Sequence, residues 1–202
     1  MTRQSTARVN GVSAFQGMCF GVIVGLHAKL YLYSRPKSID ITWEWTHPDR
    51  KKGEVYGYDG GKQVKGRKRF ILVDTLGLLL AVIVTEANFP ERLGGVVVVM
   101  EAAEATDKLS LIWVDQGFSG KNFARVIQEL IGAKVDVVCR TEPGFQVLPK
   151  RWIVERTFAW WNQYRRLSKD YELLPERSES MIYTVMIRLM LKRLVKSQTQ
   201  AG

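Results

Sequence analysis

A single carboxylate, Glu155, lies among cations in a segment whose periodicity predicts a helix over residues 151–169. At about 100° per residue, roughly a third of that helix's circumference is polar. This polar face holds Glu155 and Asn162 together with four cations, which are Arg151, Arg165, Arg166 and Lys169. Phe158 is the one apolar residue on it. The opposite face should be buried, and it comprises Ile153, Val154, Thr157, Trp160, Trp161, Tyr164 and Leu167. Glu155 is therefore either a salt-bridge partner of Arg151, four residues earlier, or a metal ligand flanked by phosphate-binding cations.

Metal-dependent phosphodiester chemistry requires carboxylates from separate elements that converge on ions about 4 Å apart. Mg²⁺ accepts such hard oxygen ligands and keeps several waters, so two Asp and one Glu are sufficient. Asp115 follows an apolar strand predicted at 109–114 and precedes Gly117. Ligand sites in open α/β sheets gather at such strand ends, although a turn or cap role is the alternative. The candidate metal ligands and catalytic residues are Asp40, Asp115 and Glu155.

Asp74 is a rival first acid, because Asp74, Asp115 and Glu155 are spaced by 41 and 40 residues. Apolar runs at 70–73 and 78–81 flank the Asp74–Gly77 segment symmetrically, which predicts a β-hairpin with Asp74 at its tip. Such a tip should lie far from the ends of the parallel strands. The first carboxylate is therefore expected upstream, where Asp40 is the best placed and Asp49 is the second choice.

A loop before this hairpin is rich in glycine and in cations. Its five cations are Lys62, Lys65, Arg67, Lys68 and Arg69, and they could neutralise several phosphates. A solvated basic face is the usual alternative for such a run. Trp152 is the tryptophan most expected at the surface, where it could stack on an unpaired base. Trp113, Trp160 and Trp161 are expected in the core.

The chain has 202 residues with 30 Lys and Arg against 20 Asp and Glu, a net charge of +10 and a pI near 9.7. This balance favours a polyanionic partner, nucleic acid above all, over a generically basic protein. Cys19 and Cys139 support neither a zinc site nor a disulfide framework, and a reducing interior fits them. The apolar run 14–26 is too short to span a bilayer. Nucleotide-binding glycine motifs and nucleophile elbows are absent.

The predicted order is strand, hairpin, helix, strand, helix, strand, helix, helix. It indicates an α/β domain with an antiparallel hairpin leading into parallel strands. The predicted helices cover 96–108, 122–131, 151–169 and 178–196, and residues 86–95 are expected to form a loop. Residues 1–37 are interpreted as an atypical or poorly ordered N-terminal segment, 38–196 as the domain, and 197–202 as a tail.

Three stretches closely resemble the IS5-like branch of the IS4-type DDE insertion-sequence transposases. They are Gly-Tyr-Asp-Gly-Gly-Lys-Gln-Val-Lys-Gly-Arg-Lys-Arg at 57–69, continuing through the hairpin to 81, Leu-Ile-Trp-Val-Asp-Gln-Gly-Phe-Ser-Gly at 111–120, and Gly-Phe-Gln-Val-Leu-Pro-Lys-Arg-Trp-Ile-Val-Glu-Arg-Thr-Phe-Ala-Trp at 144–160. The likeness runs from about residue 51 to Val195. It implies an RNase H-like mixed sheet flanked by helices, and a DDE triad that binds two Mg²⁺ or Mn²⁺ ions.

By position, Asp115 corresponds to the second acid, Glu155 to the third, and Arg151 to the arginine of the family's Arg-x-x-x-Glu element. The sequence departs from the family at Leu148, where a tyrosine is expected, and at Asn162, where a cation is expected. It departs most upstream, where only Asp40 and Thr46 match an Asp-Ser-Gln-Ser-Val-Lys-Thr-like strand. A frameshifted or truncated element copy would produce this pattern.

The resemblance implies a transposase that hydrolyses a phosphodiester at the element end, after which the freed 3′-hydroxyl attacks target DNA. The expected partners are the element's terminal inverted repeats, target DNA and a second copy of the chain in a homodimer, with no membrane, in a bacterial cytoplasm and associated with the nucleoid. The competing hypothesis is a catalytically inactive remnant that only binds DNA. A structural RNA-binding protein is a third.

Overall fold

The computed structural model describes residues 40–48, 55–105, 109–139 and 151–200, together with Ile23 and Leu26. For residues 40–48 only the backbone pairing is described. The main elements in chain order are β1 (Asp40–Pro48), β2 (Gly57–Asp59), β3 (Val64–Val73), β4 (Leu79–Glu86), α1 (Glu91–Ala105), β5 (Leu111–Val114), a 3₁₀ turn (Gln116–Phe118), α2 (Lys121–Ile131), β6 (Lys134–Val137), α3 (Arg151–Asn162) and α4 (Pro175–Gln200).

The six strands form one mixed sheet in the order β2-β3-β1-β5-β6, with β4 also paired to β3. The β3 strand is antiparallel to β1, β2 and β4, whereas β1, β5 and β6 are parallel to one another. An antiparallel hairpin therefore leads into a parallel half, as the sequence predicts. This mixed sheet with flanking helices confirms the expected α/β, RNase H-like fold class.

The β3–β4 hairpin forms because two apolar runs are joined by a turn with matching side-chain chemistry. Asp74 Oδ1 accepts hydrogen bonds from the backbone N–H groups of Leu76 and Leu78, each at 2.8 Å. Gly77 adopts φ 75°, a left-handed conformation that favours glycine. Asp74 is fully buried in this turn. The prediction that Asp74 is a turn residue at a hairpin tip is confirmed.

The core lies between the central strands and the helices packed on them. Phe70, Ile71, Leu72, Val73 and Ile112 are completely buried in it. Helix α1 packs on β3 and β4, α2 on β6 and α1, and α3 on β1.

Helix α4 packs along β4, whose other side pairs with β3. Two side chains of α4 accept hydrogen bonds from β4 backbone N–H groups: Glu179 Oε1 from Val84 at 2.7 Å, and Tyr183 Oη from Val82 at 3.3 Å. Burial raises the pKa of Glu179 to about 8, which outweighs the opposite effect of the Val84 hydrogen bond. Glu179 is therefore mostly protonated at neutral pH.

The prediction of a loop over 86–95 is confirmed only as far as Pro90 and is wrong beyond it, because α1 begins at Glu91. A first-turn acid after proline is a helix-start signal, but the Gly94-Gly95 pair indicated a break. Both glycines are needed for close packing. A Cβ on Gly94 would lie 2.3 Å from the Phe70 ring, and one on Gly95 would lie 2.7 Å from the Phe118 ring.

The helix predicted over 151–169 ends at Asn162, and turns follow it. Backbone carbonyls in the next segment accept hydrogen bonds from arginine side chains of β3, as at Leu167 and Glu172, instead of from a continuing helix. Phe158 was predicted on the polar face but is buried, with its ring 5.3 Å from that of Trp161. The buried arc of α3 is therefore wider than its periodicity suggested.

Several predictions lie outside the described residues, namely the interpretation of residues 1–37 apart from Ile23 and Leu26, and those on Asp49, Leu148 and Cys19. The domain limits at 38 and 196 also remain predictions. Within the described ranges, no helix is both long and apolar enough to cross a membrane.

Candidate metal and nucleic-acid site

Asp115 lies where β5 ends and the 3₁₀ turn begins, as its sequence context predicted. Its Oδ1 accepts a hydrogen bond from the Gly117 N–H at 3.0 Å, so the side chain caps this turn. The carboxylate of Glu91, from the start of α1, lies beside it. A Cβ on Gly117 would lie 2.4 Å from Glu91 Oε2 and 3.2 Å from Asp115 Oδ1. Sequence reasoning missed Glu91 because it assigned that residue to a loop.

Glu155 is exposed on the outer face of α3. The inner face fixes this orientation, because Ile153 and Val154 are buried and Thr157 Oγ1 donates a hydrogen bond to the Gly77 carbonyl at 2.9 Å. Helix α3 thus rests on the hairpin turn and on β1. The predicted salt bridge to Arg151 concerns a side chain outside the described ones.

Asp40 is the first residue of β1, and the pairing of β1 with β5 shows which β5 residue lies beside it. Asp40 pairs with Ile112, Ile41 with Trp113, and Thr42 with Val114. Asp115 lies three residues beyond Ile112, and a strand rises about 3.3 Å per residue. The Asp40 position is therefore about 10 Å from the level of Asp115 along the strand direction.

Three acids do not meet in the part of the chain whose side chains are described. Within it, no group of three or more His, Cys, Asp or Glu residues could hold a metal ion. A two-metal site needs its carboxylates close enough to share ions about 4 Å apart. Among the described side chains, Asp115 and Glu155 are therefore two candidate ligands that do not by themselves form a three-carboxylate site.

Three of the five cations predicted to bind phosphate are instead buried. Lys62 and Lys65 are exposed, but Arg67, Lys68 and Arg69 expose 0%, 4% and 2% of their surface. Lys68 Nζ donates to the Phe89 carbonyl at 3.1 Å and lies 3.7 Å from Asp59 Oδ2. The DNA-contact prediction is therefore wrong for these three side chains, because the β3 strand holds them inside the protein.

Arg67 and Arg69 meet a buried acid, Asp170, which sequence reasoning also missed. Arg67 Nη1 lies 3.4 Å from Asp170 Oδ2, and both side chains are fully buried. Asp170 Oδ1 accepts hydrogen bonds from Ser178 Oγ at 2.7 Å and from the Glu172 N–H at 3.2 Å. Burial lowers the pKa of Arg69, and Asp170 opposes that effect. We call Arg67, Arg69, Asp170 and Ser178 the Asp170 cluster. It ties β3 to the segment before α4.

The remaining predicted cations lie after α3. Arg165 and Arg166 are exposed, and Lys169 is half-buried. Arg166 Nη2 forms an ion pair with Glu172. These three side chains remain candidates for contact with a phosphate backbone.

Arginine guanidinium groups stack on two tryptophan rings of α3. The Arg156 guanidinium lies 4.3 Å from the Trp152 ring centre and 5.0 Å from that of Trp160, and Arg193 of α4 lies 4.6 Å from the Trp160 ring. Burial lowers the pKa of Arg156, and Asp74 opposes this. Trp152 is 46% exposed, which confirms its predicted place at the surface, and Trp113 and Trp161 are buried as predicted.

Comparison with known proteins gives two similarities. A family model described as "Transposase DDE domain" matches residues 39–191. A relative from Burkholderia cepacia, "Putative transposase for insertion sequence element IS402", is 28% identical over 118 residues, which cover 53% of this chain and 54% of the relative. The chain thus spans about half the length of that curated relative.

Proposed function

Because this chain belongs to the transposase DDE-domain family, we propose that it is an insertion-sequence protein that binds DNA without cleaving it. The likeness at 57–69, 111–120 and 144–160 supports its placement in the IS5-like branch. The proposed partners are the terminal repeats of the element and target DNA. Divalent metal chemistry belongs to the family's complete acid triad, of which this chain offers Asp115 and Glu155.

DNA binding is supported by charge and by exposed groups on separate elements. The net charge is +10, and Lys62, Lys65, Arg165 and Arg166 are exposed. Such side chains neutralise phosphates without reading bases. If these four make phosphate contacts, the logarithm of the binding constant should fall with a slope of roughly −3.6 against the logarithm of salt concentration.

One observation carries the proposal that cleavage is absent. The strand register places Asp40 opposite Ile112 and not at the level of Asp115. An acid whose backbone is about 10 Å away along the strand is near the limit at which two Asp side chains share ions about 4 Å apart, and this disfavours a complete site. An active transposase is the second candidate. It is favoured by Asp115, at the carboxyl end of β5, and by the exposure of Glu155.

The test uses a labelled duplex that carries the element ends, with a random duplex and a duplex RNA as competitors. Fluorescence anisotropy between 50 and 200 mM salt should show binding that weakens steeply with salt and favours DNA over RNA. K62Q/K65Q should reduce the magnitude of the salt slope by about 1.8. The matched control R125Q/K134Q also removes two exposed cations, which lie on α2 and β6, and should leave the slope nearly unchanged.

Cleavage is assayed on the same duplex in Mg²⁺ and in Mn²⁺. We expect no metal-dependent nicking in either buffer. Nicking by the wild-type chain that disappears in E155Q would contradict the proposal and establish the second candidate. Binding that does not depend on salt, or that prefers RNA, would contradict the assignment of DNA as the partner.

A further inference from the structure

Helix α4 carries a row of apolar side chains along the outer side of its second half. Ile187, Leu191 and Val195 recur every four residues, and the last two are 46% and 63% exposed. One cation follows each of them, namely Arg188, Lys192 and Lys196, and all six side chains line an open groove of about 590 Å³. We call these six residues the basic stripe. Exposed apolar patches with a polar rim mark interaction surfaces.

Helix α1 carries a second apolar row, of similar length and opposite charge. Leu93, Val97 and Met100 are 49%, 38% and 49% exposed and share one helical face. Glu104 is the next residue on that face, and Glu101 flanks it. We call these five residues the acidic stripe. At about 1.5 Å per residue, the apolar part of each stripe is about 10–12 Å long. Burial, and then the neighbouring Glu104, raise the pKa of Glu101, so a cation beside these two acids is favourable.

We propose that the acidic stripe of one copy of this protein docks on the basic stripe of a second copy. The apolar side chains of both stripes leave water together, and the two acids lie against the row of cations. Docking the basic stripe on itself opposes cations with cations, which disfavours a symmetric contact between two α4 helices. A DNA backbone neutralises the cations but leaves the apolar row uncovered. Because the contact uses two different surfaces, it can extend into a ring or an open chain of copies.

Sedimentation equilibrium of the DNA-free protein at increasing concentration tests the contact, and its outcome is independent of whether the chain binds DNA as proposed. The wild type should associate reversibly. K192E/K196E and E101K/E104K should each weaken this association at least about tenfold, because each sets like charges against one another across the contact. Combining both pairs in one chain restores opposite charges and should restore association.

K121E/K134E is the matched control for the charge, because it replaces two exposed cations that lie on α2 and β6. Each Lys→Glu change lowers the net charge by two, so K121E/K134E and K192E/K196E both carry +6 instead of +10. A lower net charge by itself reduces repulsion between copies. Association should therefore fall in K192E/K196E and not in K121E/K134E.

A second pair of variants tests whether two different surfaces meet. V97S/M100S removes exposed apolar groups from the acidic stripe, and L191S/V195S removes them from the basic stripe. Each variant alone should remain monomeric. An equimolar mixture should form one-to-one dimers and nothing larger, because only one intact pair of stripes is left in each dimer.

The proposal is overturned if the wild type stays monomeric throughout the concentration series, or if K192E/K196E associates as the wild type does. A mixture of the two serine variants that stays monomeric overturns it as well. Loss of association in L191S/V195S but not in V97S/M100S would exclude α1 as the docking surface. Circular dichroism shows whether each variant is folded, and the charge variants and the serine variants measure the same contact independently if one set fails to fold.

Discussion

Replacing Asp170, which is fully buried, with Asn should remove a large part of the protein's stability. Asp170 is fully buried, lies 3.4 Å from the Arg67 guanidinium, and accepts two further hydrogen bonds from Ser178 and Glu172. It also favours the charged form of the buried Arg69. The substitution keeps the size of the side chain and an oxygen acceptor, so it isolates the contribution of the charge.

Breaking a buried ion pair by removing one partner costs about 3–5 kcal/mol, because the remaining charge loses its compensation inside the protein. Asn retains part of the hydrogen bonding, so we expect D170N at the lower end, near 3 kcal/mol. D170A also loses the Ser178 hydrogen bond, for about 1 kcal/mol more. The free energy of unfolding of a domain is only about 5–15 kcal/mol, so either substitution should remove a large fraction of it.

Urea unfolding followed by circular dichroism measures this effect. The midpoint should fall while the slope with urea concentration stays constant, since the surface exposed on unfolding does not change. Glu129→Gln is the control. It breaks an exposed ion pair to Arg125, in which both side chains are more than two thirds exposed, and exposed helix pairs of this kind contribute about 0.3–0.5 kcal/mol. A loss below 1 kcal/mol in D170N would refute the reasoning about the Asp170 cluster.

Glu179→Gln should weaken the pH dependence of stability. Burial raises the pKa of Glu179 from an ordinary carboxyl value of 4.5 to about 8, so its contribution to stability is fully present below about pH 4.5 and is lost as pH rises through 8. Urea midpoints from about pH 5 to 9 should decline in the wild type and decline less in the variant, and equal declines would contradict this. Gly94→Ala should cost about 1–3 kcal/mol, because its Cβ would meet the Phe70 ring; thermal melting should show the loss, whereas Gly60→Ala, with nothing within 4 Å, should change little. Trp152→Ala should weaken single-stranded DNA binding about 5- to 150-fold, as expected for one stacked base, and should weaken duplex binding less. Equal losses for both ligands in anisotropy titrations would argue against stacking.

Much of the fold could be predicted from the sequence because its signals are local. The apolar runs on both sides of Asp74 and Gly77 define a hairpin, and the observed β3 and β4 match it. Asp115 is at a strand end, as its sequence context indicated. Periodicity also placed Trp161 in the core and Trp152 outside. Each of these inferences depends only on residues that are close to one another in the sequence.

The environment of the basic loop could not be predicted, because it depends on contacts distant in the chain. Arg67 is buried against Asp170 and the carbonyls of Glu172 and Leu173, which lie more than 100 residues later in the chain. A charge run beside glycines gives no sign of such partners, and solvated cations and buried cations have the same local sequence.

The level of the first acid depends on strand register, which the sequence alone did not define. Asp40 was the best-placed acid in the predicted β1 strand, but pairing with β5 puts it opposite Ile112. A shift of three residues along a strand changes both its level and its face. Composition and alternation identify a strand but do not specify which of its residues faces a neighbour.

The hydrogen bonds that α4 side chains accept from β4 also bear on whether copies of this protein associate through their sheet edges. An outer strand with bare N–H groups is a template for pairing with another molecule, and this is a common origin of aggregation. Glu179 and Tyr183 occupy these donors at Val84 and Val82. A shortened chain that ends before Pro175 would lack α4 and would leave the outer edge of β4 uncovered. Such a chain should self-associate by pairing strands at that edge.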